Sequence, residues 1–222
     1  MDKTATIPAR YAAVSRRSSP WSHSRGKRAL DILLSGCALL ISLPLLAFVA
    51  AIVVLTSGLP VVFRQTRMGE KGRTFELLKF RSMTIRRDQS GPGVTRSGDS
   101  RITPVGRFLR RFKLDELPQL LNVLKGDMSI VGPRPDLPEF CQALGPEHRA
   151  LFSLKPGLTG SATLEFRHEE KLLADVPEKD LEDHYVRTVL PQKAELDLAY
   201  AERATLWSDL GIILRTVCVL SR

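Results

Sequence analysis

The chain is poor in cysteine: Cys37, Cys141 and Cys218 show no CxxC spacing, which excludes a disulfide framework or cysteine zinc site and suits a reducing cytoplasm. The four histidines, His23, His148, His168 and His184, lack metal-site spacing. His168 with Glu169 and Glu170 does not converge on one ion, because adjacent helical positions diverge, and solvent exposure is expected for all four histidines. The glycine-rich stretch near Gly91 and Gly93 has neither the Lys-Ser/Thr of a P-loop nor the spacing of a Rossmann turn, so no nucleotide-binding fingerprint is present. No internal repeat is evident. No small-residue cleavage site follows the one long apolar run, where arginines stand instead, and this argues against a cleaved signal peptide.

That run, Ala29 to Thr56, holds one formal charge, Asp31, and carries Pro44 near its middle. It exceeds the roughly 18 apolar residues that mark a membrane segment. Arg25, Lys27 and Arg28 precede it, and Arg64, Arg67, Lys71 and Arg73 follow. Basic flanks prefer the cytoplasmic side, so both ends belong there. A re-entrant helix that dips into the inner leaflet and breaks at Pro44 satisfies both flanks, with Ser42 helping to cap the freed backbone groups. An ordinary single span is the competing reading. A buried soluble helix fits least, since it would need a polar face.

The formal net charge of +9 and pI near 9.8 call for an anionic partner: nucleic acid, anionic lipid or a phosphorylated substrate. The apolar run favours the last two. The sequence divides into a flexible basic tail (1–26), the membrane helix (27–57) and a remainder (58–222) large enough for one compact domain. Pro60–Gln65 and Thr74–Phe80, joined by a turn through Met68–Gly72, predict a β-hairpin. Residues 86–103 form a long polar, glycine-rich connection, either a lid over a site or a disordered segment. Apolar spacing from Val105 to Leu124 predicts two helical pieces, the second starting near Asp115 with Pro118 in its first turn and ending at Gly126. Val131–Pro135 and Lys155–Gly160 are expected to be stiff turns. Charged helices are expected over Glu165–Ala174 and Lys193–Ala204, and an amphipathic one over Leu206–Leu220.

Asp115-Glu116 is the strongest candidate for chemistry. A helix start and the neighbouring cations Arg110, Arg111 and Lys113 are expected to lower the Asp115 pKa and keep it ionised, ready to act as nucleophile, metal ligand or both. Adjacent helical residues diverge by about a hundred degrees, so the two carboxylates divide labour rather than form a matched acid/base pair. Helix capping is the plainer alternative. Arg134, between Pro133 and Pro135, is a guanidinium on a stiff backbone, suited to phosphate or to an ordinary salt bridge. Lys79 and Arg81 project to one side at a strand end, where they bind lipid head groups or substrate phosphate, or line a solvated edge.

In their order and combination these segments resemble the small monotopic polyprenyl-phosphate phosphoglycosyl transferases, or bacterial sugar transferases. The match runs from Lys27 to Leu220. Its carriers are Lys27-Arg28-Ala29-Leu30-Asp31, Pro44, Phe63-Arg64-Gln65, Leu78-Lys79-Phe80-Arg81-Ser82-Met83, Leu114–Leu121, Asn122–Ser129, Val131-Gly132-Pro133-Arg134-Pro135 and Lys155–Gly160. The resemblance implies a helix-rich α+β fold, monotopic in the membrane, with a re-entrant helix broken at proline, a small β-hairpin and amphipathic interfacial helices. It implies transfer of a sugar 1-phosphate from a UDP-sugar to undecaprenyl phosphate at the cytoplasmic face of a bacterial inner membrane, with release of UMP. It also implies Mg²⁺, Asp115 as nucleophile, Glu116 as its catalytic neighbour, and Arg110 and Arg134 as residues that hold phosphate oxygens. Inner-membrane lipid is an implied partner and nucleic acid is not; a homo-oligomer stays open. The family's Ser-Pro at the helix break is here Leu43-Pro44, with Ser42 one position further back. The Trp-containing stretch after the Thr-Gly turn is replaced by Ser161–Glu170, so the sugar is not named. The four-helix membrane domain of larger relatives is not seen, and a minimal catalytic unit is expected. A phosphohydrolase using the same Asp115, or a basic membrane scaffold without chemistry, are the rival readings.

Overall fold

Polarity confined to its two ends shapes the first element, α1 (Arg25–Ser57). The Ser24 hydroxyl accepts from the Lys27 amide and starts the helix, and Gly58, at a positive φ, ends it. Lys27 pairs with Asp209 at 2.5 Å, and Arg28 donates to the carbonyls of Val123 and Leu124 at 2.6 and 2.7 Å. One carboxylate oxygen of Asp31 accepts from the Ser129 hydroxyl and the Ile130 amide. At the other end the Arg81 guanidinium donates to the carbonyls of Ser57, Gly58 and Leu59, while Val49 and Val53 pack with Phe80 and Leu109. Between these anchorages the surface is apolar and bare: Leu40 is 70% exposed and Ile41 80%. It is the only helix among the described residues long and apolar enough to cross a membrane.

The computed structural model describes residues 18–84 and 93–220. Most of the predicted tail and residues 85–92 of the glycine-rich connection, Gly91 included, lie outside the described residues. Two expectations about the N-terminal region change. Helical structure continues through Pro44, so the predicted separation into two helices is absent; proline removes one hydrogen bond, and the helical bonds on both sides hold the element together. The Ser42 hydroxyl donates to the Leu39 carbonyl at 3.2 Å, not to the Leu40 carbonyl that Pro44 deprives of its donor. Residues 18–24, assigned to the flexible tail, are docked: the Ser19 amide donates to the Ala201 carbonyl, and the Trp21 indole to Asp209 at 2.9 Å.

The predicted hairpin is present as β1 (Val62–Met68) and β2 (Thr74–Phe80), antiparallel, with Val62 opposite Phe80 and Met68 opposite Thr74. Its first strand extends past Gln65 because the turn is tighter than expected, closed by the Gly69 amide on the Arg73 carbonyl with Lys71 at φ 58°. Next come α2 (Pro104–Arg111), a 3-10 turn (Leu114–Glu116) and α3 (Gln119–Lys125), which stops at Gly126 with φ 95° as expected of glycine there. Asn122 fastens α3 to β2, accepting from the Leu78 amide and donating to the Glu76 carbonyl.

The stiff turn expected at Lys155–Gly160 contains β4 (Gly157–Thr159), which pairs in parallel with β3 (Ser129–Val131). A Cβ on Gly157 or Gly160 would collide with the backbone of Gly132, so the pairing depends on glycine, a signal that composition alone does not distinguish from a turn. The remaining helices are α4 (Pro138–Ala143), α5 (Ser161–Glu165), α6 (Glu169–Leu172), α7 (Leu181–His184), continued by a π-helical turn (Tyr185–Val189), α8 (Leu190–Arg203) and α9 (Leu206–Leu220). The charged helix expected over Glu165–Ala174 is thus split. His148 is buried beside Glu147 rather than solvent-exposed.

Asp209 anchors three segments, accepting from Lys27, Trp21 and the Tyr200 hydroxyl, and is 1% exposed. Lys27→Met removes its cation and leaves a buried charge; the expected loss is about 3–5 kcal/mol, read as a lower unfolding midpoint in detergent micelles.

Candidate active site

The bend between α2 and α3 is made by Lys113 in the left-handed region, φ 55°, followed by the 3-10 turn that carries Asp115 and Glu116. The α-helix proper begins only at Gln119, so the expected position of Asp115 in an α-helical first turn shifts to this preceding turn. Both carboxylates are buried, at 3% and 8% exposure, and their surroundings differ sharply. Glu116 meets Lys79 of β2 at 3.2 Å and Arg134 of the loop after β3 at 2.7 Å. Despite burial, Arg134 and Lys79, with Lys113 further out, hold its carboxyl well below the usual range. Burial lowers the Lys79 pKa, and Glu116 opposes the shift. Arg134 is reinforced in its charged form by Glu116.

Asp115 is the reverse case. Its Oδ1 has no hydrogen-bond partner among the described residues, and burial, then the Glu116 charge, push its pKa up. The expectation that cations would lower it fails: desolvation wins, and Arg134 and Lys79 make their direct contacts with Glu116. The two neighbours thus sit in opposite electrostatic environments.

The predicted phosphate-binding residues separate into groups. Lys79 and Arg134 join at Glu116. Arg110 acts on Asp115 through its charge but forms its ion pair with Glu170 of α6. Arg81 does not join the cluster; it lies just past the end of β2, buried on the terminal carbonyls of α1, because those acceptors need a donor where the helix stops. The Arg134 loop is held from behind. Gly157 donates to the Pro133 carbonyl at 2.7 Å, and Tyr185 donates to Asp136 while accepting from Lys193, which also pairs with Glu169. Asp197, raised to about 7 by burial, accepts from the Ala162 amide. These supports come from α8 and its approach, where no local motif marks them.

No group of three His, Cys, Asp or Glu residues among the described residues could hold a metal ion. The unpartnered Asp115 oxygen still fits Mg²⁺, which commonly takes one or two carboxylates and completes its shell with substrate phosphate oxygens and water.

A family profile described as bacterial sugar transferase matches residues 22–222. Among curated proteins, the chain is 41% identical over 196 residues to a UDP-glucose:undecaprenyl-phosphate glucose-1-phosphate transferase of Caulobacter vibrioides, covering 86% of this chain and 68% of that one. An Escherichia coli protein of the same description is 39% identical, and a UDP-N-acetylgalactosamine-undecaprenyl-phosphate N-acetylgalactosaminephosphotransferase of Aeromonas hydrophila 34%; each match covers 86% of this chain. The chain spans only 39% and 42% of those two proteins' lengths.

Neutralising each carboxylate should move stability in opposite directions. Asp115→Asn relieves a buried charge without a direct partner and is expected to unfold at the same or a higher temperature. Glu116→Gln strands two cations and is expected to lose roughly 3–5 kcal/mol. Thermal unfolding of both variants in one detergent checks the pair.

Proposed function

The chain belongs to the bacterial sugar transferase family and is a sugar-phosphate transferase, and from that premise we propose that it moves a sugar 1-phosphate from a UDP-sugar to undecaprenyl phosphate through a covalent intermediate on Asp115. The observation that carries this reading is the buried Asp115 oxygen without a partner, one residue from a carboxylate clamped by two cations. A carboxylate so placed has lost solvation and gained no protein hydrogen bond at that oxygen, which favours its use as a nucleophile.

In the first step an Asp115 oxygen forms a bond to the β-phosphorus of the donor. The bond from that phosphorus to the bridging oxygen breaks, and UMP leaves with the electron pair. An oxygen of the lipid phosphate then attacks the same phosphorus; the aspartyl carboxylate is released and polyprenyl-diphosphate-sugar forms. Arg134 and Lys79, prepositioned by Glu116, supply fixed positive charge to the phosphoryl oxygens, and Arg110 joins them when its pair with Glu170 yields. Mg²⁺ held by Asp115 would add charge neutralisation on the diphosphate. Arg81 has no part in this reading, because its two terminal nitrogens donate to the carbonyls at the end of α1.

A membrane seat for this chemistry is supported by the bare apolar middle of α1 and by anchorage of both its ends to the same domain. A re-entrant course with a bend at Pro44 satisfies both, and it puts the basic end of the molecule on the cytoplasmic face of the bacterial inner membrane. Phe108 and Phe112, exposed beside Arg107 and Arg111 on and just after α2, and Trp207 on α9 suit the head-group level.

Purified protein with Mg²⁺ and a panel of UDP-sugars, starting with UDP-glucose, is expected to release UMP over repeated turnovers only when undecaprenyl phosphate is added; without it, release stops at about one UMP per protein. Asp115→Asn is expected to abolish the release. Sustained release without the lipid, beyond about one UMP per protein, would indicate a hydrolase, and release that survives in the variant would remove Asp115 from the chemistry.

A further inference from the structure

Helix α2 and the residues that follow it carry positive charge with no acid to match it: from Arg107 through Arg110 and Arg111 to Lys113 there is no carboxylate in the sequence. Arg107 stands at i+3 and i+4 spacing from Arg110 and Arg111, where like charges repel. Arg110 is relieved by Glu170, whereas Arg107, Arg111 and Lys113 are exposed and form no ion pair among the described residues. Between these cations Phe108 and Phe112 meet at 4.8 Å, both exposed, and the Arg111 guanidinium lies over the Phe112 ring. Leu109 packs with Val49 and Val53, so α2 lies against α1 where Phe48 and Leu55 are bare. Lys113 stands at φ 55°, a conformation that glycine holds without strain, and its carbonyl accepts from the Glu116 amide. This strained, exposed cation starts the turn that carries Asp115, and its charge reaches both carboxylates.

An anion that brings its own apolar chain fits this surface better than a soluble one, because the cations alternate with bare aromatic rings and adjoin the apolar helix. A UDP-sugar has no chain to cover those rings. The lipid acceptor has one, and its phosphate must approach a phosphoryl group that is itself anionic, so it needs charge neutralisation beyond that of Lys79 and Arg134. Resting on the function proposed above, we propose that Arg111 and Lys113 bind the phosphate of the polyprenyl acceptor, with Phe108 and Phe112 against the first units of its chain and Arg107 at the approach from the head-group layer. In the second step an oxygen of that phosphate forms the bond to the phosphorus held by Asp115. The Asp115 O–P bond breaks, its electron pair returns to the carboxylate, and no proton is transferred. Arg111 and Lys113 offset the repulsion between the two anions as they meet.

The test uses the full-length chain in micelles of a neutral detergent, where general attraction to anionic lipid is absent. Arg111→Gln, Lys113→Gln and Lys113→Gly are each assayed for the UMP burst without lipid, the KM for undecaprenyl phosphate in sustained release, and the unfolding midpoint. Loss of one charged contact to phosphate is expected to raise the acceptor KM about tenfold or more in every variant. The burst should keep an amplitude of about one UMP per protein and a rate within about threefold of wild type, which places the defect in the second step. Lys113→Gly also relaxes the left-handed residue, so its midpoint should be unchanged or higher while its acceptor KM rises, which separates binding from folding. An acceptor KM within about threefold of wild type overturns the inference. So does a burst slowed as much as the sustained reaction, which would assign the cations to the donor step, or a defect confined to vesicles containing anionic lipid, which would mark general surface attraction. A wild-type chain that gives neither a burst nor lipid-dependent release with any donor overturns the proposed function instead, so the two failures are distinguishable.

Discussion

A carboxylate inside a protein stays ionised when charged partners or hydrogen-bond donors replace the water it has lost, and Glu116 has two cations, Lys79 and Arg134. Those cations belong to different parts of the chain: Lys79 stands near the end of the hairpin, and Arg134 on the proline-bounded loop after β3. Glu116 thus holds the hairpin, the turn before α3 and the Arg134 loop in one arrangement. Because it absorbs the direct ion pairs, Asp115 is left with a bare oxygen one residue away. The bare oxygen on which the proposed chemistry rests follows from the satisfaction of its neighbour.

The same economy governs the two ends of α1. Arg81, at the exit of β2, neutralises the carbonyl end of α1, and Asp31 near the start of α1 fixes the first residues of β3. Since β2 carries Lys79 and β3 leads to Arg134, the long apolar helix α1 and the strands that frame Asp115 and Glu116 share polar anchors. A disturbance in the seating of α1 has a short physical route to the cations around Glu116.

Much of this was legible in the sequence because local rules decided it. The hairpin, the Gly126 stop, the apolar length of α1 and the Asp115-Glu116 pair each announce themselves by spacing or composition. The misreadings arose where long-range contacts overruled local ones. Cations near Asp115 in sequence suggested a depressed pKa, but burial and Glu116 reversed its direction, because charges delivered by β2 and the Arg134 loop engage Glu116 instead. Arg81 looked like a partner of Lys79 until the end of α1 claimed it. Pro44 suggested two helices, yet one missing hydrogen bond did not end the element. The clamp formed by Tyr185, Lys193 and Asp136 had no sequence signature, since its members are brought together only by packing of α8 and its approach.

The central claim is that Asp115 carries the sugar phosphate. It is tested most directly by incubating the protein with its UDP-sugar and Mg²⁺ without lipid acceptor, quenching rapidly, and measuring intact mass followed by peptide mapping. The account predicts a gain of one sugar phosphate on the peptide containing Asp115, lost when undecaprenyl phosphate is added and absent from Asp115→Asn. Lipid-dependent UMP release with no adduct, or with an adduct on another residue, would contradict it.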